Sequence, residues 1–95
     1  MGRYNKKVDA NHAEIREIFR QCGYSVFDSS AVPGFVDLVI GRCGHNYLIE
    51  IKDGAKTKSA RKLTKKQEDL HAKWRGSIDI IESVDEAISF CHDKI

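Results

Sequence analysis

The sequence predicts a mixed α/β fold of α-β-β-β-α-β-α order, a central mixed sheet with helices packed on it. Apolar residues recur at helical spacing in three separate stretches. Short β-prone runs stand between them. The one proline and the glycines fall between these segments as turn punctuation.

The elements follow in order. From Asn11 to Cys22 the residues Ile15, Ile18, Phe19 and Cys22 share one helical face, and Gly23 ends that helix. Tyr24 to Phe27 is a short strand, and Ser29 to Gly34 is a loop closed by the Pro33-Gly34 turn. Phe35 to Ile40 and Tyr47 to Lys52 are two further strands. Gly41-Arg42-Cys43-Gly44-His45 joins them as a hairpin, which makes them antiparallel neighbours. A basic loop follows, then a helix from about Thr64 carrying Leu70 and Trp74 and closed by Gly76. Ser77 to Ile81 is a strand, and Ser83 to about Cys91 is a helix opened by Ser83 and Glu86 at capping-box spacing.

With 95 residues there is room for a single domain, with its core over about residues 11–92. A chain this small buries a modest share of its surface, so self-association is expected to help it. No apolar run reaches the roughly 18 residues of a membrane span, and the basic start leads into no secretory segment, so a cytoplasmic protein is expected. Cys22, Cys43 and Cys91 are an odd, widely spaced set that suits reduced thiols, and no C-x-x-C pair proposes zinc.

Net charge is only +2, but it is unevenly spread. Nine basic residues and three acidic ones lie between Lys52 and Arg75, which leaves −4 for the rest of the chain. Such a separation suits a surface that meets a polyanion beside an acidic pocket.

The informative residues are the charges inside strands. Phe35 to Ile40 is apolar apart from Asp37, and an ionised carboxylate there is costly unless a cation or several donors compensate it. Asp37 could instead cap a turn after Gly34 or pair with Arg42. In Tyr47 to Lys52 the two-residue period puts Glu50 and Lys52 on one face, with Ile49 and Ile51 on the other. If the hairpin sets Asp37 beside Glu50, their carboxylates can share a hard cation such as Mg²⁺, with the Ile51 carbonyl as a further ligand. Such an ion polarises a phosphate and acidifies a bound water, while the Lys52 ammonium supports the developing oxyanion. Glu-x-Lys on a strand can also be no more than a solvated or cross-strand ion pair.

Taken together, these residues resemble the PD-(D/E)xK nuclease superfamily, and within it the small stand-alone virus-type replication-repair nuclease (VRR-NUC) domains of phages and bacteria. The likeness runs from Asn11 to about Ser83. It rests on Gly34-Phe35-Val36-Asp37-Leu38 and on Glu50-Ile51-Lys52, with Glu14 on the first helix and Gln67 on the second. Pro33 precedes Gly34 and does not abut Asp37, a variation on the motif.

The resemblance implies a restriction-endonuclease-like core. Asp37, Glu50 and Ile51 would bind Mg²⁺ or Mn²⁺, Lys52 would be the catalytic lysine, and Glu14 and Gln67 would be accessory groups. It also implies a structure-selective DNA endonuclease, with branched DNA as partner and a homodimer to make paired cuts. Lys56, Lys58, Arg61, Lys62, Lys65 and Lys66 would grip phosphates, although a charged run is often only solvated. Asn11 with Glu14, and Thr64 with Gln67, also stand at capping-box spacing, so each pair is open to a purely structural reading. A binding module without activity and a sequence-specific restriction-type enzyme are the rivals.

Overall fold

A four-stranded mixed sheet of order β1-β2-β3-β4 runs through the computed structural model, which describes residues 11–52 and 63–94. The chain order is α1 (His12–Gln21), β1 (Ser25–Asp28), β2 (Leu38–Arg42), β3 (His45–Ile51), α2 (Lys65–Lys73), β4 (Ile78–Ile81) and α3 (Val84–Asp93). The α-β-β-β-α-β-α order is thus the one expected. The first three strands pair antiparallel, and β4 joins β3 in parallel after the α2 crossover.

Alternation along the strands separates two faces. Leu38, Ile40, Ile49, Ile51 and Ile81 point into a core completed by Ile15 and Phe19 of α1 and by Ala87, Phe90 and Cys91 of α3. Phe90 sits edge-on to Tyr47 (5.3 Å) and to Phe19 (5.7 Å), so aromatic geometry adds to burial there. At the far end of that core, Arg42 lies over the Tyr24 ring and donates to the carbonyls of Cys22 and Lys94, tying off α1 and α3. It is therefore no partner for Asp37.

The β2–β3 hairpin is tighter than the sequence implied. Arg42 pairs with His45, so the turn is Cys43-Gly44 alone, with φ of 54° and 80°. Two positive φ values match the right-handed twist of the flanking strands.

The larger correction concerns β2, which begins at Leu38 rather than Phe35. Gly34 takes a φ of 73° in the preceding turn. Asp37 then donates its N–H to the Ile49 carbonyl (3.0 Å), although Leu38 is the residue facing Ile49. Two residues of the incoming chain thus share one position of β3, as in a β-bulge, and regular pairing starts only afterwards.

Helix capping also departs from expectation at one end. Thr64 and Gln67 form a full capping box at α2, and Ser83 accepts from the Glu86 N–H at α3. Asn11 occupies the N-cap of α1 but makes no side-chain capping bond, and its amide is used elsewhere.

Candidate active site

The bulge determines what Asp37 does. Within a strand, the N–H and C=O of one residue point to the same edge, and successive residues alternate edges. Ile49 and Ile51 turn theirs toward β2, while Lys52 donates to Ile81 of β4 (3.0 Å). Because the chain has veered at the bulge, Ile51 finds no β2 carbonyl and donates to Asp37 Oδ2 at 2.8 Å. One oxygen of Asp37 is thereby compensated. The carboxylate is held against the Glu50–Ile51 peptide, on the edge to which the Ile51 carbonyl also points.

Glu50 is fully buried on the face opposite Ile49 and Ile51. Its Oε2 accepts from Gln67 Nε2 at 2.6 Å, while Gln67 Oε1 accepts from Lys52 Nζ at 2.9 Å. One amide therefore links the carboxylate to the ammonium, each end presenting the dipole its partner needs. Gln67 Oε1 also accepts from the Thr64 N–H (2.9 Å). The capping box that starts α2 thus also holds Gln67 in the rotamer that reaches Glu50 and Lys52.

Asn11 is the residue that sequence reasoning missed. Its Nδ2 donates to the carbonyl of Glu82 (3.1 Å) and, more weakly, to that of Lys52 (3.4 Å). It straps the ends of β3 and β4 and anchors the backbone of Lys52. The Asn at an N-cap was visible in the sequence, but capping was the more general use for it.

Other expected residues are placed less centrally. Glu14 is exposed on α1, and no hydrogen bond joins it to Asp37, Glu50 or Lys52. Lys65 and Lys66 are exposed on the first turn of α2, Lys65 lying 3.8 Å from Asp69. Lys56, Lys58, Arg61 and Lys62 lie outside the described residues.

For a metal, the donor chemistry is that of a hard cation: the Asp37 and Glu50 carboxylates with the Ile51 carbonyl, all oxygen. Among the described residues no group of three or more His, Cys, Asp or Glu side chains gathers to hold an ion. An ion here would accordingly rest on two carboxylates and a backbone oxygen, with water and substrate completing its shell. That is the usual manner of Mg²⁺.

Compared with family models, curated proteins and solved structures, the chain matches none. Its function has to be read from these residues. No helix among the described residues is long and apolar enough to cross a membrane.

Proposed function

We propose that the protein is a Mg²⁺- or Mn²⁺-dependent DNA endonuclease of the PD-(D/E)xK type, similar to VRR-NUC domains. The observation that carries this reading is the buried Glu50 bonded through Gln67 to Lys52, beside Asp37 held on the Ile51 N–H. A buried carboxylate costs stability, and hydrophobic residues would fill that volume more favourably. Its link through Gln67 to an ammonium, one residue from the Ile51 N–H that Asp37 accepts, suits phosphodiester hydrolysis.

In this reading Asp37, Glu50 and the Ile51 carbonyl would hold the ion, which when bound would supply Lewis acidity and an acidified water. Lys52 places its ammonium where charge develops on the phosphate oxygens, so it stabilises the transition state more than the ground state. Gln67 keeps Glu50 and Lys52 in register. Asn11 sets the backbone from which Lys52 extends.

No base-reading element is evident, and lysines that contact phosphates position DNA without specifying sequence. Branched or otherwise structured DNA is therefore the substrate class proposed, and cytoplasm the compartment. One site cuts one strand, so paired cuts in a junction need a two-fold homodimer.

The test is incubation of the protein with duplex, flap and four-way-junction DNA, in Mg²⁺ and in chelator. Metal-dependent cleavage of the branched substrates is expected. Binding without cleavage in any metal would leave the inactive-module reading, and cleavage of plain duplex at one site would favour the restriction-type reading.

A further inference from the structure

Helix α2 carries a second feature beside the site. Lys66, Leu70 and Lys73 recur at intervals of four and three residues on one side of the helix. With Asp69 they line a cleft of about 280 Å³ whose opposite wall is the Gly34 backbone. A Cβ on Gly34 would make only ordinary contact with Lys66, at 3.7 Å, so the φ of 73° and not a lack of space is what favours glycine there. At the end of α2, Trp74 is 44% exposed, its ring 6.4 Å from that of Phe35 and inclined at 62°. A partly exposed indole braced on a phenyl ring, one residue past Lys73, leaves apolar surface in water and suits a flat apolar ligand carried on a phosphate chain.

We propose that Trp74 and Phe35, with Lys66 and Lys73, form a platform that stacks an unpaired nucleobase of the DNA substrate next to the bond being cut. The proposal rests on the reading of the Asp37, Glu50 and Lys52 site as a nuclease and deepens it by naming what the enzyme selects. The cleft and the site share two chain segments: Gln67 follows Lys66 on α2, and Gly34 stands three residues before Asp37. Along α2, Gln67 and Trp74 are about 10 Å apart at about 1.5 Å per residue. That is about three base steps at roughly 3.4 Å each, so a strand with its phosphate at Lys52 reaches Trp74 within a few nucleotides. Every base offers a π-face, whereas a paired base spends both faces inside its own duplex. The platform thus selects DNA with a free end, flap or opened junction. Asp69 disfavours a phosphate in mid-cleft, which leaves Lys66 and Lys73 for the chain and the Trp74–Phe35 pair next to Lys73 in sequence for the base.

Trp74 is the only tryptophan, so its fluorescence reports on the platform directly. In chelator, a single-stranded thymidine oligonucleotide is expected to quench the emission in a saturable manner, and a blunt hairpin duplex of equal length to do so weakly. By anisotropy of labelled DNA, Trp74→Leu is expected to weaken single-strand binding about tenfold while changing duplex binding less than about twofold, and Trp74→Phe to keep most of the single-strand affinity. Single-strand binding by the wild-type protein without quenching, or equal single-strand affinity in Trp74→Leu and wild type, would overturn the proposal. The wild-type titration decides even if the leucine variant does not fold. Cleavage without quenching defeats the platform alone, and quenching without cleavage in any metal defeats the nuclease reading alone.

Discussion

On the α1 and α3 side of the sheet, Phe19, Tyr24, Tyr47 and Phe90 meet around Ile15, Leu38 and Ile49, and almost everything buried is apolar. On the α2 side β3 presents Glu50, with Lys52 just past its end, both held by one glutamine from a helix with no buried residue of its own. Side-chain alternation is all that separates Ile49 and Ile51 from Glu50 and Lys52. One strand thus serves as core on one face and carries the charged cluster on the other. The difference teaches where stability is made: burial on the first face has to offset a charged second face that weakens the fold.

Substitutions on the two faces should therefore separate folding from activity. The largest effect is expected at Phe19, fully buried between the two helices and the sheet. Phe19→Ala should cost about 3–5 kcal/mol, a large part of the stability of a domain of this size. Thermal unfolding followed by circular dichroism should show Tm falling by at least about 12 °C, with activity lost in parallel. On the other face, Lys52→Ala should lower single-turnover cleavage about 10²–10³-fold while Tm moves by only a few degrees. A matching collapse of Tm would mean that Lys52 belongs to the fold rather than to the chemistry.

Asn11 stands where the two faces meet. Asn11→Asp removes both donated bonds and sets a carboxylate against two carbonyls, at a cost of about 1–3 kcal/mol in urea unfolding. Thr64→Ala should cost about 1 kcal/mol as a lost cap, and it should also slow cleavage, because Gln67 loses the hydrogen bond that holds its turn.

The smallest effects are those of pH and thiol reactivity. Burial, with the Cys22 thiol alongside, pushes Cys91 up to about 12 from an ordinary 9.0. Since the folded value lies above the unfolded one, this group's contribution to stability holds below pH 9 and fades as pH rises toward about 12. Iodoacetamide at pH 8 should label the exposed Cys43 of the native protein and leave Cys91 untouched, as read by peptide mass. Labelling of Cys91 at a similar rate would show that the α1–α3 face opens readily.

The order of elements was legible in the sequence because each has its own period and punctuation, down to Gly23 after α1 and Ser83 before α3. The start of β2 was not. Phe35 and Val36 look like strand, and only the three-dimensional pairing reveals the bulge at Asp37. That local exception explains the carboxylate that seemed misplaced in an apolar run, since Asp37 stands just before the strand and takes up the Ile51 N–H. The shared face of Glu50 and Lys52 followed from a period of two. The amide between them was legible only as Gln67 in a capping box, because no spacing rule links residues 50 and 67. Asn11 was hidden for the opposite reason, its position having an ordinary local use that the chain does not make of it.

The central claim is that Asp37 and Glu50 serve a divalent ion beside Lys52. Its most direct test is cleavage of a labelled four-way junction by wild-type protein and by Asp37→Asn, each with Mg²⁺ and with chelator, alongside their unfolding curves. The account predicts cutting by the wild-type protein in Mg²⁺ only, and an Asp37→Asn protein that is folded but inactive. Undiminished cutting by Asp37→Asn, or by the wild-type protein in chelator, would contradict it.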